Sequence, residues 1–295
     1  MDIIEKYITY IRYEKRYSDH TVKAYLTDLK QYFSFITENY EIDLLITDFI
    51  HIRSWIVFLG NNNLSKRSIN RKITTLKSFY KYCKVNKFID VNPAIKIYLL
   101  KSSKQLPVYV DEESMDNLFC DDVFEDDYKG ILSKTIIDLL YGTGMRVSEL
   151  INLSEGDVDW HNNQLKVLGK RNKERIIPLN QNLQKSLHLY NKVRNEICID
   201  SINDSYFFLR VNGKKIYHKF VYRIINNYLS IVTTIKKRSP HVIRHTFATH
   251  MLNNGADLNA IKDILGHASL SATQVYTHNS IDKLKNVYKQ AHPKA

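Results

Sequence analysis

Apolar side chains in the first hundred residues recur three and four positions apart, which is the spacing of amphipathic helices. The pattern predicts four helices before Pro93, where proline closes the helical region. Ser18 can cap the second helix and Ser65 the fourth, because a short polar side chain accepts free N–H groups of a first turn. The third helix is predicted over residues 50–59, with its end at Gly60. The apolar stripe of the second helix comprises Val22, Tyr25, Leu26, Leu29, Tyr32 and Phe33.

The fourth predicted helix has an apolar side and a cationic side. Its apolar side comprises Ile69, Ile73, Leu76, Phe79 and Tyr80. Its cations are Lys66, Arg67, Arg71, Lys72 and Lys77. Cations along one helix face either lie in solvent or contact phosphates, and we favour the second interpretation. These five side chains are therefore predicted to contact phosphates in the groove of a nucleic acid.

The helical pattern ends before Lys101–Pro107, a segment whose lysines, serines and proline are typical of an extended basic linker. Beyond it, helical spacing resumes, but Gln164–Leu168 and Glu174–Leu179 alternate apolar and polar residues on either side of a turn. Such a pair predicts a β-hairpin. We expect a helical domain over residues 1–100 and a larger mixed domain over residues 108–295, with a fold that is mainly α with a small β-sheet (α+β).

Composition narrows the class of protein. Hydrophobic residues make up 44% and charged residues 25% of the chain, which is typical of a globular protein. The N-terminus lacks a signal-peptide pattern, and no apolar run approaches the roughly 20 residues of a membrane-spanning helix. Three widely spaced cysteines suit a reducing cytoplasm better than a disulfide framework. The formal net charge is +12 although residues 111–127 hold nine acidic and no basic residues, and nucleic acid is the partner we expect.

A candidate anion site begins at Ser239, a good N-cap residue followed by proline at the first helical position. His241 and Arg244 lie three residues apart and therefore share one face at the start of this helix. A helix N-terminus with an arginine and a histidine favours a phosphate. The competing interpretation is a zinc pair, His241 with His245, but the sequence offers no clear third ligand.

Three more residues are candidates for the same site, but each of them alone is weak evidence for a function. Arg146 follows a glycine-containing turn that leads into a helix, and it could simply stabilise that turn. His267 comes directly after Gly266, which is expected to stop a short helix, and alone it would be an ordinary surface histidine. Tyr276 is one of 20 tyrosines, most of which are core or surface aromatic residues.

Together these residues resemble, in order and spacing, the tyrosine recombinase (phage integrase) family. The motifs are Gly-Thr-Gly-Met-Arg146, Lys170 in the hairpin, His241-x-x-Arg244, Leu-Gly-His267 and Tyr276-Thr-His. The resemblance covers nearly the whole chain and is strongest to short two-domain members of the Xer type. One departure is Arg171, where relatives commonly have glycine, and it would stiffen the loop that carries Lys170.

The resemblance implies a chemistry. Tyr276 would attack a DNA phosphodiester, leaving a 3′-phosphotyrosyl link and a free 5′-hydroxyl, and Lys170 would protonate the departing oxygen. The groups that would stabilise the charge on the phosphate are Arg146, Arg244, His241 and His267. Guanidinium groups would replace a metal electrostatically, so we expect neither a metal nor another cofactor.

The resemblance also implies an architecture and partners. A helical core-binding (SAM-like) domain and the catalytic domain would form a C-shaped clamp on double-stranded DNA, and four protomers would assemble on two sites. The final helix, Ile281–Gln290, would pack on its own domain or on a neighbouring protomer. A related recombinase and a septal DNA translocase are further expected partners.

The biological role is expected to be the resolution of chromosome dimers at cell division. A mobile-element integrase, a DNA-relaxing topoisomerase and a DNA-binding regulator with an inactive site are the alternatives. The DNA target, and the choice between a C-type, a D-type and a single-recombinase system, stay open.

Overall fold

The computed structural model describes residues 2–101, 108–120, 123–169, 174–197, 205–266 and 291–293. The chain divides into two compact units, Met1–Gln105 and Leu106–Ala295. Each has its own hydrophobic core. Across the described ranges, no helix combines the length and the apolar character needed to cross a bilayer.

The first unit is helical throughout. Its helices are α1 (Ile3–Thr9, continued by a π-helical turn Tyr10–Glu14), α2 (Asp19–Tyr40), α3 (Phe49–Asn61) and α4 (Lys66–Val85). Both predicted serine caps are confirmed: Ser18 Oγ accepts from the Thr21 N–H at 3.4 Å, and Ser65 Oγ accepts from the Ser68 N–H at 3.3 Å. The four predicted helices are therefore present.

Two details of the first unit differ from the sequence prediction. The predicted end of α3 at Gly60 is wrong, because the helix runs on to Asn61 and the left-handed residue is Asn63, with φ 57°. Asparagine tolerates this conformation better than most residues with a Cβ atom. Phe33 of the predicted α2 stripe is 39% exposed, whereas Val22, Leu29 and Tyr32 are buried. The predicted apolar side of α4 is buried at every position.

The second unit is mainly helical around one small sheet. Its helices are α5 (Glu112–Leu118), α6 (Tyr128–Thr143), α7 (Val147–Ile151), α8 (Gln181–Ile197), α9 (His218–Val232), α10 (Pro240–Asn253) and α11 (Leu258–Leu265). The strands are β1 (Val158–Asp159), β2 (Gln164–Leu168) and β3 (Glu174–Pro178). They form one antiparallel sheet in the order β1-β2-β3, with Gln164 opposite Pro178 and Leu168 opposite Glu174. The predicted hairpin and the mainly α fold class are confirmed.

Helix α6 is the centre of the second core. Almost every one of its residues is buried, and the apolar faces of the surrounding helices cover it. Close packing leaves little room at Gly142, where a Cβ atom would lie 2.6 Å from Cδ1 of Leu183 on α8. The C-terminus of α6 is thereby held in place, and the turn that follows it carries Arg146.

Candidate active site

The turn after α6 positions Arg146. Gly144 ends α6 in the left-handed conformation, with φ 60°, and its N–H donates to the Leu140 carbonyl at 3.0 Å. A Cβ atom at Gly144 would lie 2.4 Å from Cδ1 of Phe247, so both the conformation and the space require glycine. Arg146 then adopts an extended conformation as the N-cap of α7.

Arg244 lies one turn into α10 and is anchored at both ends of its guanidinium fork. Its Nη1 donates to the Gly144 carbonyl at 2.5 Å, and its Nη2 donates to the Leu265 carbonyl at 2.6 Å. The side chain therefore connects the turn before Arg146 with the C-terminus of α11.

A buried carboxylate lies beside these arginines. Glu149 on α7 accepts from the Arg146 N–H and from Arg146 Nη1, both at 2.8 Å. It also accepts from Arg175 on β3, at 3.1 Å from Nη1 and 2.7 Å from Nη2. Burial alone would raise the pKa of Glu149, but the hydrogen bonds and charge of Arg175, followed by those of Arg146, hold the pKa below its ordinary value.

The C-terminus of α11 is bound by three arginines. The carbonyls of Ile264, Leu265 and Gly266 each accept from a different guanidinium group. Arg175 Nε donates to Ile264 at 2.8 Å, and Arg146 Nη2 donates to Gly266 at 3.2 Å. The last carbonyls of a helix lack intrahelical partners and carry partial negative charge, so cations are favoured there.

The pKa of Arg244 depends on its burial and on the neighbouring charges. Burial, together with the like charge of Arg146, lowers the pKa of Arg244 to about 10, and Glu149 opposes the shift. Arg244 therefore stays charged at neutral pH although it is partly buried. Guanidinium groups that repel one another in a half-buried site favour an anion between them, and a phosphate fits their forked geometry.

The structure brings together some of the predicted site residues. Arg146 and Arg244 share the carbonyls at the C-terminus of α11. His241 is exposed in the first turn of α10. Ser239 is the N-cap as predicted, but its side chain makes no capping hydrogen bond. The predictions that lie outside the described residues are Lys170, Arg171, His267, Tyr276, the linker segment 102–107 and the final helix 281–290.

Two residues of the site were not predicted from the sequence: Glu149 and Arg175. Glu149 lies three residues after Arg146, which is the spacing of a reciprocal cap at the start of α7. Arg175 is in phase with the buried Ile177 on β3, so it is a charged residue on the apolar face of a strand. A charge at such a position needs a partner of opposite charge. The position of Arg175 in the strand pattern could therefore have indicated a buried ion pair.

Two of the five predicted DNA-binding cations on α4 contact a buried carboxylate. Asp28 on α2 is fully buried and accepts from Lys72 Nζ at 2.8 Å and from the Arg71 guanidinium. Lys72 is itself only 4% exposed, so its ammonium is used inside the first unit in place of the predicted phosphate contact. The exposed or half-buried cations that stay as predicted DNA contacts are Lys66, Arg67, Arg71 and Lys77.

The zinc alternative concerned His241 and His245. Within the described part of the chain, no three histidine, cysteine, aspartate or glutamate side chains are arranged to hold a metal ion. His241 is exposed and His245 is half-buried on α10. The charged groups gathered at the site are instead arginines around a carboxylate.

Removing Glu149 should destabilise the second unit. A Glu149→Ala substitution would leave the buried Arg175 guanidinium without its counter-charge, and breaking a buried ion pair from one side costs about 3–5 kcal/mol in free energy of unfolding. Urea unfolding at pH 7 measures the loss. Because the folded pKa lies below the ordinary value of 4.5, this stabilisation is present above that pH and is lost as the pH falls through the folded pKa.

The matched control is Glu174→Ala on β3. Glu174 is exposed and pairs with Lys166 at 3.0 Å, so its removal should cost at most about 1 kcal/mol. Equal losses for the two variants, or a Glu149 loss that persists unchanged at low pH, would contradict the role given to Glu149.

Comparison with known proteins covers both units. The phage integrase family model matches residues 110–282, and the model of the phage integrase N-terminal SAM-like domain matches residues 4–87. The tyrosine recombinase XerC of Staphylococcus saprophyticus is 38% identical, over 99% of this chain and 98% of its own. The XerC protein of Staphylococcus carnosus is 37% identical over the same shares.

Solved structures show the same fold. The XerH site-specific recombinase bound to palindromic difH substrate, in a post-cleavage complex, has a TM-score of 0.71 at 19% identity, over 99% of this chain and 81% of that chain. A lambda integrase dimer bound to a COC′ core site has a TM-score of 0.68 at 14% identity, over 93% and 98%.

The family match, the relatives and the fold agree. The chain belongs to the phage integrase family. Within that family it is a tyrosine recombinase of the Xer type, since the XerC relatives align with it over nearly their whole length.

Proposed function

We propose that this protein is a site-specific DNA recombinase that cuts and rejoins DNA strands through a phosphotyrosyl bond to Tyr276. The observation that carries the proposal is the pairing of Arg146 and Arg244 on the carbonyls that end α11, in a chain of this family. Two fixed guanidinium groups at one half-buried site are suited to the two non-bridging oxygens of a phosphodiester.

The arginines supply transition-state stabilisation. Attack on a phosphodiester builds negative charge on the non-bridging oxygens, and preorganised donors stabilise that charge without reorganising during the reaction. Arg244 is preorganised because two backbone carbonyls hold its fork, and Arg146 is preorganised by Glu149. His241, exposed in the first turn of α10, and His267, which follows Gly266 in the chain, would add hydrogen bonds to the same phosphate.

Two proton transfers complete the reaction: Tyr276 would lose its hydroxyl proton to water, and the departing 5′ oxygen would gain one. A free tyrosine hydroxyl has a pKa of about 10, and the positive charge of the arginines favours the phenolate that attacks. Lys170, in the predicted hairpin turn between β2 and β3, would give a proton to the departing 5′ oxygen as general acid. The phosphotyrosyl bond conserves the energy of the broken linkage, so rejoining needs neither ATP nor a metal.

The proposed biological role is the resolution of chromosome dimers in the cytoplasm at cell division, which the XerC relatives support by name. The proposed assembly is a homo- or hetero-tetramer on two DNA sites, with a related recombinase and a septal DNA translocase as further partners. In each protomer, residues 1–100 would bind the core DNA, residues 101–107 would link the domains, and residues 108–295 would cleave.

Trapping the cleaved complex tests the chemistry. Footprinting on the host's replication-terminus region first locates the bound sequence. A duplex of that sequence, nicked so that the short cleaved fragment diffuses away, should then give a slowly migrating protein–DNA species on a denaturing gel. The species should form with chelator present and without ATP.

Each of the other results of these experiments would indicate one of the alternative functions. Binding without any covalent species indicates a DNA-binding regulator, and loss of the species with chelator indicates metal chemistry. Relaxation of a supercoiled plasmid that lacks the site indicates a topoisomerase. A footprint at the ends of a mobile element, in place of the terminus region, indicates an integrase.

A further inference from the structure

Arg175 is the most deeply buried of the arginines at the site, and the proposed chemistry gives it no task. It lies on β3 and is 4% exposed. Its fork donates to both oxygens of Glu149, and its Nε donates to the Ile264 carbonyl at 2.8 Å. The guanidinium also packs beside Gly266, where a Cβ atom would lie 3.3 Å from Arg175 Nη1.

Stability alone is a weak reason for this arrangement. Desolvating a guanidinium and a carboxylate costs about as much as their attraction returns, and apolar residues of similar size often stabilise a fold equally well. The specific result of the pair is geometric, since Arg175 connects the sheet, α7 and the C-terminus of α11 through one planar group. Arg146 uses the same two partners, Glu149 and the end of α11.

We propose that Arg175 is a positioning residue for strand cleavage, which offsets the negative charge of Glu149 and keeps the guanidinium of Arg146 correctly placed for the DNA phosphate. The inference rests on the proposed function and extends it to a residue that would not touch the DNA.

The sharing of Glu149 explains how Arg175 acts. Oε1 of Glu149 accepts from Nη1 of Arg175 at 3.1 Å and from Nη1 of Arg146 at 2.8 Å. Oε2 accepts from Nη2 of Arg175 at 2.7 Å and from the backbone N–H of Arg146 at 2.8 Å. One carboxylate and two guanidinium groups leave a formal charge of +1. Without Arg175, the negative charge of the Glu149 carboxylate would offset the positive charge of Arg146. The attraction of this pair for a phosphate would then be weaker.

The contact with α11 adds a steric constraint. Arg175 holds the Ile264 carbonyl, and Arg146 holds the Gly266 carbonyl two residues later. Loss of the first contact frees the last turn of α11, to which Arg146 and Arg244 are also bound. A displacement of about 1 Å at a reacting group can cost about 100-fold in rate.

The test is single-turnover cleavage of the nicked duplex by three variants. Arg175→Lys keeps the charge and loses the fork. Arg175→Met removes the buried charge, which lets the protein fold while Glu149 still pairs with Arg146. Arg194→Lys is the matched control, since Arg194 is also buried, at 2%, and pairs with Glu155, and the proposed cleavage gives neither residue a role.

We expect the cleavage rate to fall about 100-fold for Arg175→Lys and further for Arg175→Met. The fraction of protein that eventually reacts should stay as in the wild type, and Arg194→Lys should cleave at the wild-type rate. A purely structural role would instead lower the reacting fraction at an unchanged rate, and that result would overturn the inference.

A double-mutant cycle shows whether Arg175 acts through Arg146. If it does, Arg146→Lys combined with Arg175→Lys should be no slower than Arg146→Lys alone. Multiplicative losses, or a wild-type rate for Arg175→Lys, would refute the inference while the recombinase function stands. Failure of the wild type to form any adduct would refute the proposed function itself.

Discussion

A Tyr276→Phe variant should form no covalent adduct with a nicked DNA site, and this is the largest effect we expect from any single substitution. Phenylalanine keeps the ring but lacks the oxygen that would attack the phosphorus, so no phosphotyrosyl bond can form. The measurement is the trapped species on a denaturing gel, followed over several wild-type half-times. The DNA affinity of the variant should match that of the wild type, because the hydroxyl is the only group removed.

The matched control is Tyr222→Phe on α9, an exposed tyrosine that has no proposed role in cleavage. This variant should form the adduct as the wild type does. An adduct that still forms with Tyr276→Phe would assign the nucleophile to another residue, and peptide mapping of that adduct would identify it.

The second large effect is expected for Arg244→Ala, with a fall of about 1,000-fold in the cleavage rate. The substitution removes a charged fork that the Gly144 and Leu265 carbonyls hold in place, and those carbonyls lose their donors as well. Single-turnover cleavage of the nicked duplex, at protein concentrations above the dissociation constant, measures the chemical step free of binding.

Arg244→Lys separates charge from geometry. A lysine keeps the positive charge but cannot donate to Gly144, Leu265 and a phosphate oxygen in the planar geometry of a guanidinium. We therefore expect Arg244→Lys to recover only a small part of the lost rate. A lysine variant that cleaves like the wild type would show that a point charge suffices and that the fork is dispensable.

Local sequence signals predicted much of the fold. Ser18 and Ser65 cap α2 and α4 as expected, and the period-two pattern of residues 164–168 and 174–178 forms the hairpin. Gly266 stops α11 as expected. These features depend on contacts between residues close in the chain, where capping, spacing and backbone preference act directly.

One difference from the prediction came from a contact between distant residues. The predicted DNA contact of Lys72 ignored Asp28, which lies 44 positions earlier in the chain and accepts its ammonium in the interior. The end of α3 was displaced from Gly60 because Asn63, not glycine, adopts the left-handed conformation there. Helical spacing identifies the apolar side of a helix but not the partner that lies across from it.

The sequence by itself determined the family, the helical first unit, the hairpin and the order of the candidate catalytic residues, since each is written in local spacing or in the order of motifs. Only the tertiary structure showed the network beneath the site. Arg175 meets Glu149 across 26 positions and Ile264 across 89, and Arg244 meets Gly144 across 100. Such contacts depend on how strands and helices pack. A buried charge without a partner costs free energy, and the path of the chain determines which partner lies close enough to pair with it.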